Sequence, residues 1–373
     1  MLNYSFVLIM PVVLFYTNLQ GNTIDLRDQK QLFELAEITK PNQNTEFSAR
    51  LSPSGRYLIY PRQVGKNASN ETYFKLIALN LETDKEHILP VDLPEGYQTV
   101  FTRFNFFDSS GEKLSLLQFR EYPEEGYVVL YDLKNMKEIS MDSRVMAEFA
   151  MFDYTGQRLI AKTRGPLTLV NLSGVVLFKI PSGGWIHSTS PFSKYATVFV
   201  PPMRGIRQVS RFELWDMDEK MILVELPMHQ QNRSLDDVTA QWTLNGQYVY
   251  YIDLVERPGE NGRRNMRNVT RIWDTKTNKE KTCLDDVAPI GPGPVVDSMF
   301  MTQVRGRNIS EMPGLLLHRV GNDELLQFGP TNARFVHGWG MKVVYVVPKD
   351  GKNVVFIANV SMNEQAINRT SDN

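Results

Sequence analysis

The sequence predicts an all-β protein folded as a single β-propeller of about seven four-stranded blades. A polar turn that closes on glycine and leads into an alternating apolar run recurs at residues 52–60, 108–117, 153–161 and 244–252. The turn glycines Gly55, Gly111, Gly156 and Gly246 are spaced 56, 45 and 90 residues apart, and 90 is twice 45. A repeat of this length built from short strands is typical of propeller blades.

The second half of the repeat supports the same fold. Each copy is an apolar strand that ends in Asp or Asn before a polar turn: LIALNLETDKE, VVLYDLKNMKE, FELWDMDEKM and RIWDTKTNKEK. An Asp or Asn side chain can bond the backbone two residues on and so start a tight turn. A weaker copy of the first half, without the glycine, lies at residues 191–200. Each repeat therefore predicts a four-stranded antiparallel meander.

Seven blades can be placed, at residues 48–90, 98–141, 146–181, 185–227, 236–285, 293–329 and 333–362. Blade six is irregular, because residues 294–297 leave only a stub for its innermost strand. Blade seven lacks a fourth strand, and an open edge would leave backbone groups unpaired. Residues 31–39 (QLFELAEIT) are expected either to supply that closing strand or, since Leu, Glu and Ala favour helices, to form a short amphipathic helix.

The apolar run at residues 6–16 has the length of a signal-peptide core and is too short to span a bilayer. The expected organisation is therefore a signal peptide at 1–21, an N-terminal segment at 22–47, the propeller at 48–362 and a polar tail at 363–373. The lesser alternative is an uncleaved anchor. We expect a protein that is secreted or lumenal in the secretory pathway, without a stable transmembrane span.

Glycosylation sequons support secretion. Nine Asn-x-Ser/Thr triplets occur where chance predicts about three. The alternative is turn chemistry in an Asn-rich β protein. With Cys283 as the single cysteine, the chain cannot form an intrachain disulfide. The triplets begin at Asn3, Asn67, Asn70, Asn171, Asn232, Asn268, Asn308, Asn359 and Asn368.

The sequence contains no nucleophile elbow, P-loop or HExxH motif. Its five histidines are scattered over different blades and are expected to be surface or packing residues rather than ligands. The overall net charge of -1 requires no nucleic-acid partner. We therefore expect no catalytic residues, metal or cofactor, although a propeller enzyme that gathers single residues from many blades would escape a motif search.

Basic residues cluster in the loops between the second and third strands of neighbouring blades, which emerge on one end of a propeller. Arginine can bind an oxyanion in a planar fork, so such an arc would suit acidic-protein or phosphate contacts. The alternative is that long exposed loops simply carry charge. Sugars at Asn67, Asn70, Asn268 and Asn308 would cover the same end and disfavour nucleic acid. The predicted binding residues are Arg204, Arg207, Arg211, Arg257, Arg263, Arg264, Arg267, Arg305 and Arg307.

Blades four to six carry a family resemblance. The runs YATVFVPPMRGIRQVSRFELWD, QWTLNGQYVYYIDLVERPGENGRRNMRNVTRIWD and LLLHRVGNDELLQFGPTNARFV resemble three successive blades of eukaryotic translation initiation factor 2A. The resemblance covers roughly residues 101–345. It implies a non-enzymatic propeller that brings initiator tRNA and mRNA to the small ribosomal subunit. The chain departs from that family in blade number, in lacking a basic C-terminal extension and in opening with an export signal. SPSGRYLIY is also similar, more loosely, to TolB-like and dipeptidyl-peptidase propellers.

Two functions follow as expectations. The first is a non-enzymatic scaffold in the secretory pathway that binds a protein or peptide. The second is a cytoplasmic translation factor that binds the ribosome, tRNA or mRNA through the basic loops.

Overall fold

The computed structural model describes residues 24–35, 49–66, 72–94, 107–119, 126–162, 166–190, 192–201, 210–227, 240–258, 264–285, 287–292, 299–304, 315–320 and 324–362. These residues form 28 β-strands in seven antiparallel sheets. The sheets follow one another along the chain, and we number them from 1 to 7 in that order. The prediction of an all-β propeller is confirmed.

The strands of the first four sheets follow the predicted repeat. Sheet 1 contains β2 (Arg50–Leu51), β3 (Tyr57–Lys66), β4 (Thr72–Asn80) and β5 (Lys85–Pro94). Sheet 2 contains β6 (Lys113–Phe119), β7 (Gly126–Asp132), β8 (Lys137–Ile139) and β9 (Met146–Ala147). Sheet 3 contains β10 (Phe149–Phe152), β11 (Arg158–Lys162), β12 (Leu167–Asn171) and β13 (Val176–Ile180). Sheet 4 contains β14 (Trp185–Thr189), β15 (Tyr195–Val200), β16 (Arg211–Asp216) and β17 (Met221–Pro227).

The remaining sheets complete the ring. Sheet 5 contains β18 (Ala240–Trp242), β19 (Tyr248–Pro258), β20 (Arg264–Asp274) and β21 (Lys279–Asp285). Sheet 6 contains β22 (Val287–Pro292), β23 (Met299–Val304), β24 (Leu315–Arg319) and β25 (Glu324–Phe328). Sheet 7 contains β26 (Arg334–Trp339), β27 (Lys342–Lys349), β28 (Lys352–Met362) and, from the other end of the chain, β1 (Ile24–Glu34).

Six of the sheets are unbroken rows of four strands, and sheet 2 is arranged differently. Its outer edge is divided between β8 and β9, which pair with different parts of β7. β9 therefore belongs to sheet 2, whereas its residues were expected to open blade three. At the inner edge, the described residues show only a bridge between Phe107 and Leu114. A seventh four-stranded blade stays a prediction.

β1 closes the ring by pairing antiparallel to β28, from Ile24 opposite Met362 to Glu34 opposite Val354. The predicted closing strand is confirmed over residues 31–34, and it begins earlier than expected. The alternative of an amphipathic helix does not hold for these residues. Residues 36–39 of the expected segment lie outside the described part of the chain.

The innermost strand of sheet 6 corrects a second expectation. It is β22, which precedes the stretch 294–297 that was expected to leave only a stub. The sequence of β22, VAPIGP, contains two prolines and a register shift between Pro289 and Gly291. Proline is tolerated in a strand at a free edge or a bulge, and the channel-side edge of an innermost strand is free. Because of these prolines, the sequence pattern did not indicate a strand here.

The repeated polar turn joins the first and second strands of a sheet, and side-chain hydrogen bonds stabilise it. A side-chain oxygen at its first position accepts the backbone N–H five residues on: Tyr57 to Ser52 at 3.0 Å, and Lys113 to Asp108 at 2.9 Å. The turn glycines have positive φ, +66° at Gly55 and +71° at Gly111. Only glycine adopts this conformation without strain.

The apolar core consists of clusters between successive sheets rather than one central mass. Val249 and Tyr251 of sheet 5 pack against Phe199 and Phe212 of sheet 4, for example. The final interface, between sheets 7 and 1, includes Phe33 of β1, whose ring lies 4.9 Å from that of Tyr60. Each sheet is thus buried by its two neighbours.

Gly111 provides a test of how tightly these turns pack. A Cβ there would lie 2.7 Å from the backbone nitrogen of Ser54 in sheet 1, whereas one at Gly340, also at positive φ, would meet nothing within 4 Å. Gly340→Ala is expected to cost about 1 kcal/mol of unfolding free energy through its φ alone. Gly111→Ala adds overpacking and is expected to cost roughly 2 kcal/mol more. Urea titration measures both, and equal losses would contradict the inter-sheet contact.

Candidate binding surfaces

The two ends of the ring differ in how regular their connections are. One end, which we call the short-turn end, carries the connections between first and second and between third and fourth strands. The third-to-fourth connections are four residues long at 81–84, 133–136, 172–175, 217–220 and 275–278. At the opposite end, the loop end, second-to-third connections range from two residues at 350–351 to ten at 201–210 and 305–314.

The short-turn end is tied together from sheet to sheet. The Nζ of Lys113 in sheet 2 donates to the carbonyl of Gly156 in sheet 3 at 3.3 Å. The Nζ of Lys342 in sheet 7 donates in the same way to the carbonyl of Gly55 in sheet 1 at 3.0 Å. Lys113 begins β6 and Lys342 begins β27, the strand that follows the repeated turn in each sheet. The same interaction therefore links neighbouring sheets at two junctions of the short-turn end.

An ion-pair network fixes the same end between sheets 3 and 4. Arg158 pairs with Asp153 of its own sheet at 2.5 Å and with Asp218 of the next at 2.9 Å. The hydroxyl of Tyr154 also donates to Asp218, at 2.5 Å. Burial alone would raise the pKa of Asp218, but the bonds from Tyr154 and Arg158 lower it. The carboxylate is thus held ionised as a structural link.

The loop end carries a two-stranded extension of sheet 5. Within the described residues, the pairing of β18 with β19 extends to Tyr251, and that of β21 with β20 extends to Val269. The five pairs from Leu254–Asn268 to Pro258–Arg264 continue beyond the described pairing of both neighbours. At the rise of a strand they extend the sheet by about 17 Å. We call residues 254–258 and 264–268 the arm.

Three of the predicted binding arginines lie in the arm, on two different faces. Arg267 is opposite Val255 and Arg257 is opposite Asn265, which places both arginine positions on one face. Arg264, opposite Pro258, belongs to the other face. Tyr251 shares the face of Arg257 and packs against sheet 4, so this face is the one toward sheet 4.

Arg211 is the predicted binding residue with a fully described side chain, and it is engaged within its own sheet. Its Nη2 lies 2.8 Å from Oε1 of the buried Glu213, and its Nε lies 3.5 Å from Oε2 of Glu225. Its charge is thus already balanced by carboxylates. The other five, Arg204, Arg207, Arg263, Arg305 and Arg307, lie outside the described residues.

Two predicted glycosylation residues have described side chains. Asn171 accepts the backbone N–H of Val175 at 2.9 Å in a turn. Asn359 on β28 donates to Asp28 on the closing strand at 2.8 Å, so its amide helps to hold β1. Asn268 lies in the arm, on the face of Arg264. Asn3, Asn67, Asn70, Asn232, Asn308 and Asn368 lie outside the described residues.

Two histidines on innermost strands connect neighbouring sheets, a role that sequence reasoning missed. Nδ1 of His187 in sheet 4 accepts the backbone N–H of Ala240 in sheet 5 at 3.3 Å. Nδ1 of His337 in sheet 7 accepts the backbone N–H of Leu51 in sheet 1 at 3.2 Å. The partners are 53 and 286 residues apart, so no local motif signals the bonds.

The next two observations concern the described ranges of the chain. There, His, Cys, Asp and Glu residues form no group of three or more that could hold a metal ion. In the same part of the chain no helix has the length and apolar character needed to cross a membrane.

Solved structures show what the fold resembles. The β-propeller domain of the Trilobed protease from Pyrococcus furiosus, described as having an open velcro topology, is 12% identical with a TM-score of 0.53. The match covers 85% of this chain and 94% of that domain. The WD40 domain of Pan2 from Neurospora crassa is 12% identical with a TM-score of 0.51, over 90% of this chain and 96% of that one. The chain is therefore a WD40-like β-propeller in fold.

Sequence comparisons identify no relatives. No protein-family description matches the chain, and no curated protein is significantly similar to it.

Acid is expected to weaken the contact between sheets 7 and 1. Burial and then the charge of Arg50 lower the pKa of His337 well below its ordinary value. The unfolded chain takes up this proton below about pH 6.5 while the folded protein does not. The free energy of unfolding therefore falls as the pH drops below that value, by at most about 1.4 kcal/mol per pH unit.

His337→Asn tests this expectation, because asparagine keeps a hydrogen-bond acceptor near the Leu51 N–H but does not titrate. Urea titrations between about pH 7.5 and about pH 5 are expected to show a shallower loss of stability in the variant. An acid sensitivity as steep as in the unsubstituted protein would assign the loss to other groups.

Proposed function

We propose that this protein is a non-enzymatic β-propeller scaffold that binds a protein or peptide partner at its loop end. The contrast between the two ends supports the proposal. Connection lengths repeat at the short-turn end and vary at the loop end, and a rigid ring that presents varied loops is suited to recognition.

The arm is the part of the loop end that the partner contacts first. It extends beyond its neighbouring strands, and two of its arginine positions share the face toward sheet 4. Guanidinium groups match carboxylates in planar geometry. The partner that suits this face is therefore an acidic protein segment.

The proposed location is the secretory pathway, either in its lumen or outside the cell. The excess of sequons and the apolar run near the start of the sequence support it. Asn268 lies on the arm face opposite Arg257, so a glycan there would shield one face and leave the other open.

A second candidate function is translation initiation in the cytoplasm. The resemblance of blades four to six to initiation factor 2A favours it, and the arm would then contact RNA phosphates. Such binding falls steeply with salt because counterions are released.

Reversing charge on the arm tests the main proposal. Arg257→Glu with Arg267→Glu is expected to lower affinity for the partner at least tenfold, since close charge pairs at interfaces couple by about 1.5 kcal/mol or more. The matched control is Lys276→Glu with Lys279→Glu, which makes the same charge change at the short-turn end of sheet 5, where both lysines are exposed. Partners are captured on the three proteins and quantified side by side. Equal loss in both variants would show that net charge, not the arm, controls binding.

Peptide-glycosidase treatment of the expressed protein separates the two candidate functions. A mobility shift is expected for the secretory scaffold. An unshifted protein that cosediments with ribosomes and is released as salt rises would instead support the translation role.

A further inference from the structure

The outermost strands of the sheets form the rim of the ring, and on three sheets they begin with a charged pair. Lys85–Glu86 in sheet 1, Lys137–Glu138 in sheet 2 and Lys279–Glu280 in sheet 5 are all exposed. The register places the three glutamates alike, each opposite the last residue but one of the third strand. Charges on an edge strand protect it from pairing with other chains.

Sheets 3 and 4 carry apolar residues at the same positions. Val176 and Ile222 lie opposite the last residue but one of the third strand, where the three other sheets have glutamate. The exposed apolar residues here have exposed fractions between 37% and 53%, and we call them the rim patch. Two neighbouring sheets thus lack the charges that protect the rim on sheets 1, 2 and 5. The rim patch consists of Val175, Val176, Leu177, Met221 and Leu223.

The two halves of the rim patch lie next to each other. The amine of Lys220, in the turn that leads into β17, lies 5.5 Å from the centre of the Phe178 ring on β13. Phe178 and Ile222 also pack against the same apolar core cluster. Five side chains exposed to this degree present an apolar area of roughly 400 Å², within the size range of patches that are often functional on monomers.

The size of the rim patch suits a second copy of the chain. A two-fold contact buries the same patch on both copies. Together with its polar margin such a contact reaches roughly 1,200 Å², which is the low end of the range for specific interfaces. The expected contact is therefore weak and depends on protein concentration.

The charges beside the rim patch complement one another. Lys179 on β13 and Glu225 on β17 occupy equivalent positions, three residues after Val176 and Ile222. Lys179 is exposed, and the side chain of Glu225 is 56% exposed although it lies 3.5 Å from Arg211. A two-fold axis parallel to the axis of the ring sets β13 of one copy against β17 of the other at the same height. Each lysine then lies at the level of the glutamate of the other copy.

We propose that the rim patch is a self-association surface, through which two copies of the chain form a weak symmetric dimer, rim against rim. Burial of the apolar side chains drives the association. The two contacts between Lys179 and Glu225 set the register, because complementary charges determine how two surfaces align. This surface is separate from the arm. Both loop ends point in the same direction in such a dimer and stay uncovered.

Residues taken from sheet 5 give the first test. Val175→Lys with Val176→Glu and Leu177→Lys gives β13 the start of β21, residues 279–281, which the rim of this ring already carries. The protein is first treated with peptide glycosidase, because Asn171 lies beside Val175. Sedimentation velocity between about 1 and about 200 µM is expected to show the unsubstituted protein changing from monomer to dimer, and the triple variant remaining a monomer. An unsubstituted protein that is monomeric throughout overturns the proposal and leaves the patch to a different protein.

Exchange of charges gives a second test, which does not depend on the folding of the triple variant. Lys179→Glu and Glu225→Lys are each expected to raise the dissociation constant of the dimer about tenfold, because each sets like charges against each other twice. The double variant should restore association. Lys281→Glu makes the same charge change at an exposed rim position outside the patch and should leave association unchanged. A double variant as weak as the single ones, or an equal loss in Lys281→Glu, overturns the proposal.

Discussion

The fold depends on the pairing of β1 with β28, because it builds the last sheet from both ends of the chain. Every sheet in the ring is buried on both faces by its neighbours, so an incomplete last sheet would expose two interfaces at once. Ile24 enters the cluster between sheets 6 and 7, while Phe33 enters the one between sheets 7 and 1. One strand therefore completes both interfaces, and contacts 318 residues apart, such as Lys352 with Glu34, hold it in place.

The sequence predicts the turns well, because residues close together in the chain determine them. It predicts the strand bounds less well where they depend on pairing with residues far away in the chain. Ser52 and Gly55 specify their turn within six residues, which is why the repeat could be read. β1 was placed too late because its first half, DLRDQK, is polar and mostly exposed. The outermost strand of a sheet needs at most one apolar face, so its sequence needs only an alternation of apolar and polar residues. In β1 a register shift between Arg27 and Lys30 interrupts that alternation.

The same contrast between local and distant determinants applies to the residues of the candidate binding surfaces. Loop order assigned Arg257, Arg264 and Arg267 to one end of the ring, and the pairing register was needed to assign them to faces. The engagement of Arg211 had a local signal, since Glu213 two residues on must share its side of the strand. The hydrogen bond from Leu51 to His337 had none, because it follows from ring closure alone.

The contact of Phe192 with Trp339 lies at the short-turn end of the ring and bears on which end can bind a partner. It joins two sheets that are not neighbours, at the end where four-residue turns recur and two lysine-to-carbonyl bonds link neighbouring sheets. The loop end differs, because its second-to-third connections range from two to ten residues. A partner that binds the loop end would contact loops of unequal length on a ring whose other end is linked from sheet to sheet, so recognition and rigidity are assigned to opposite ends.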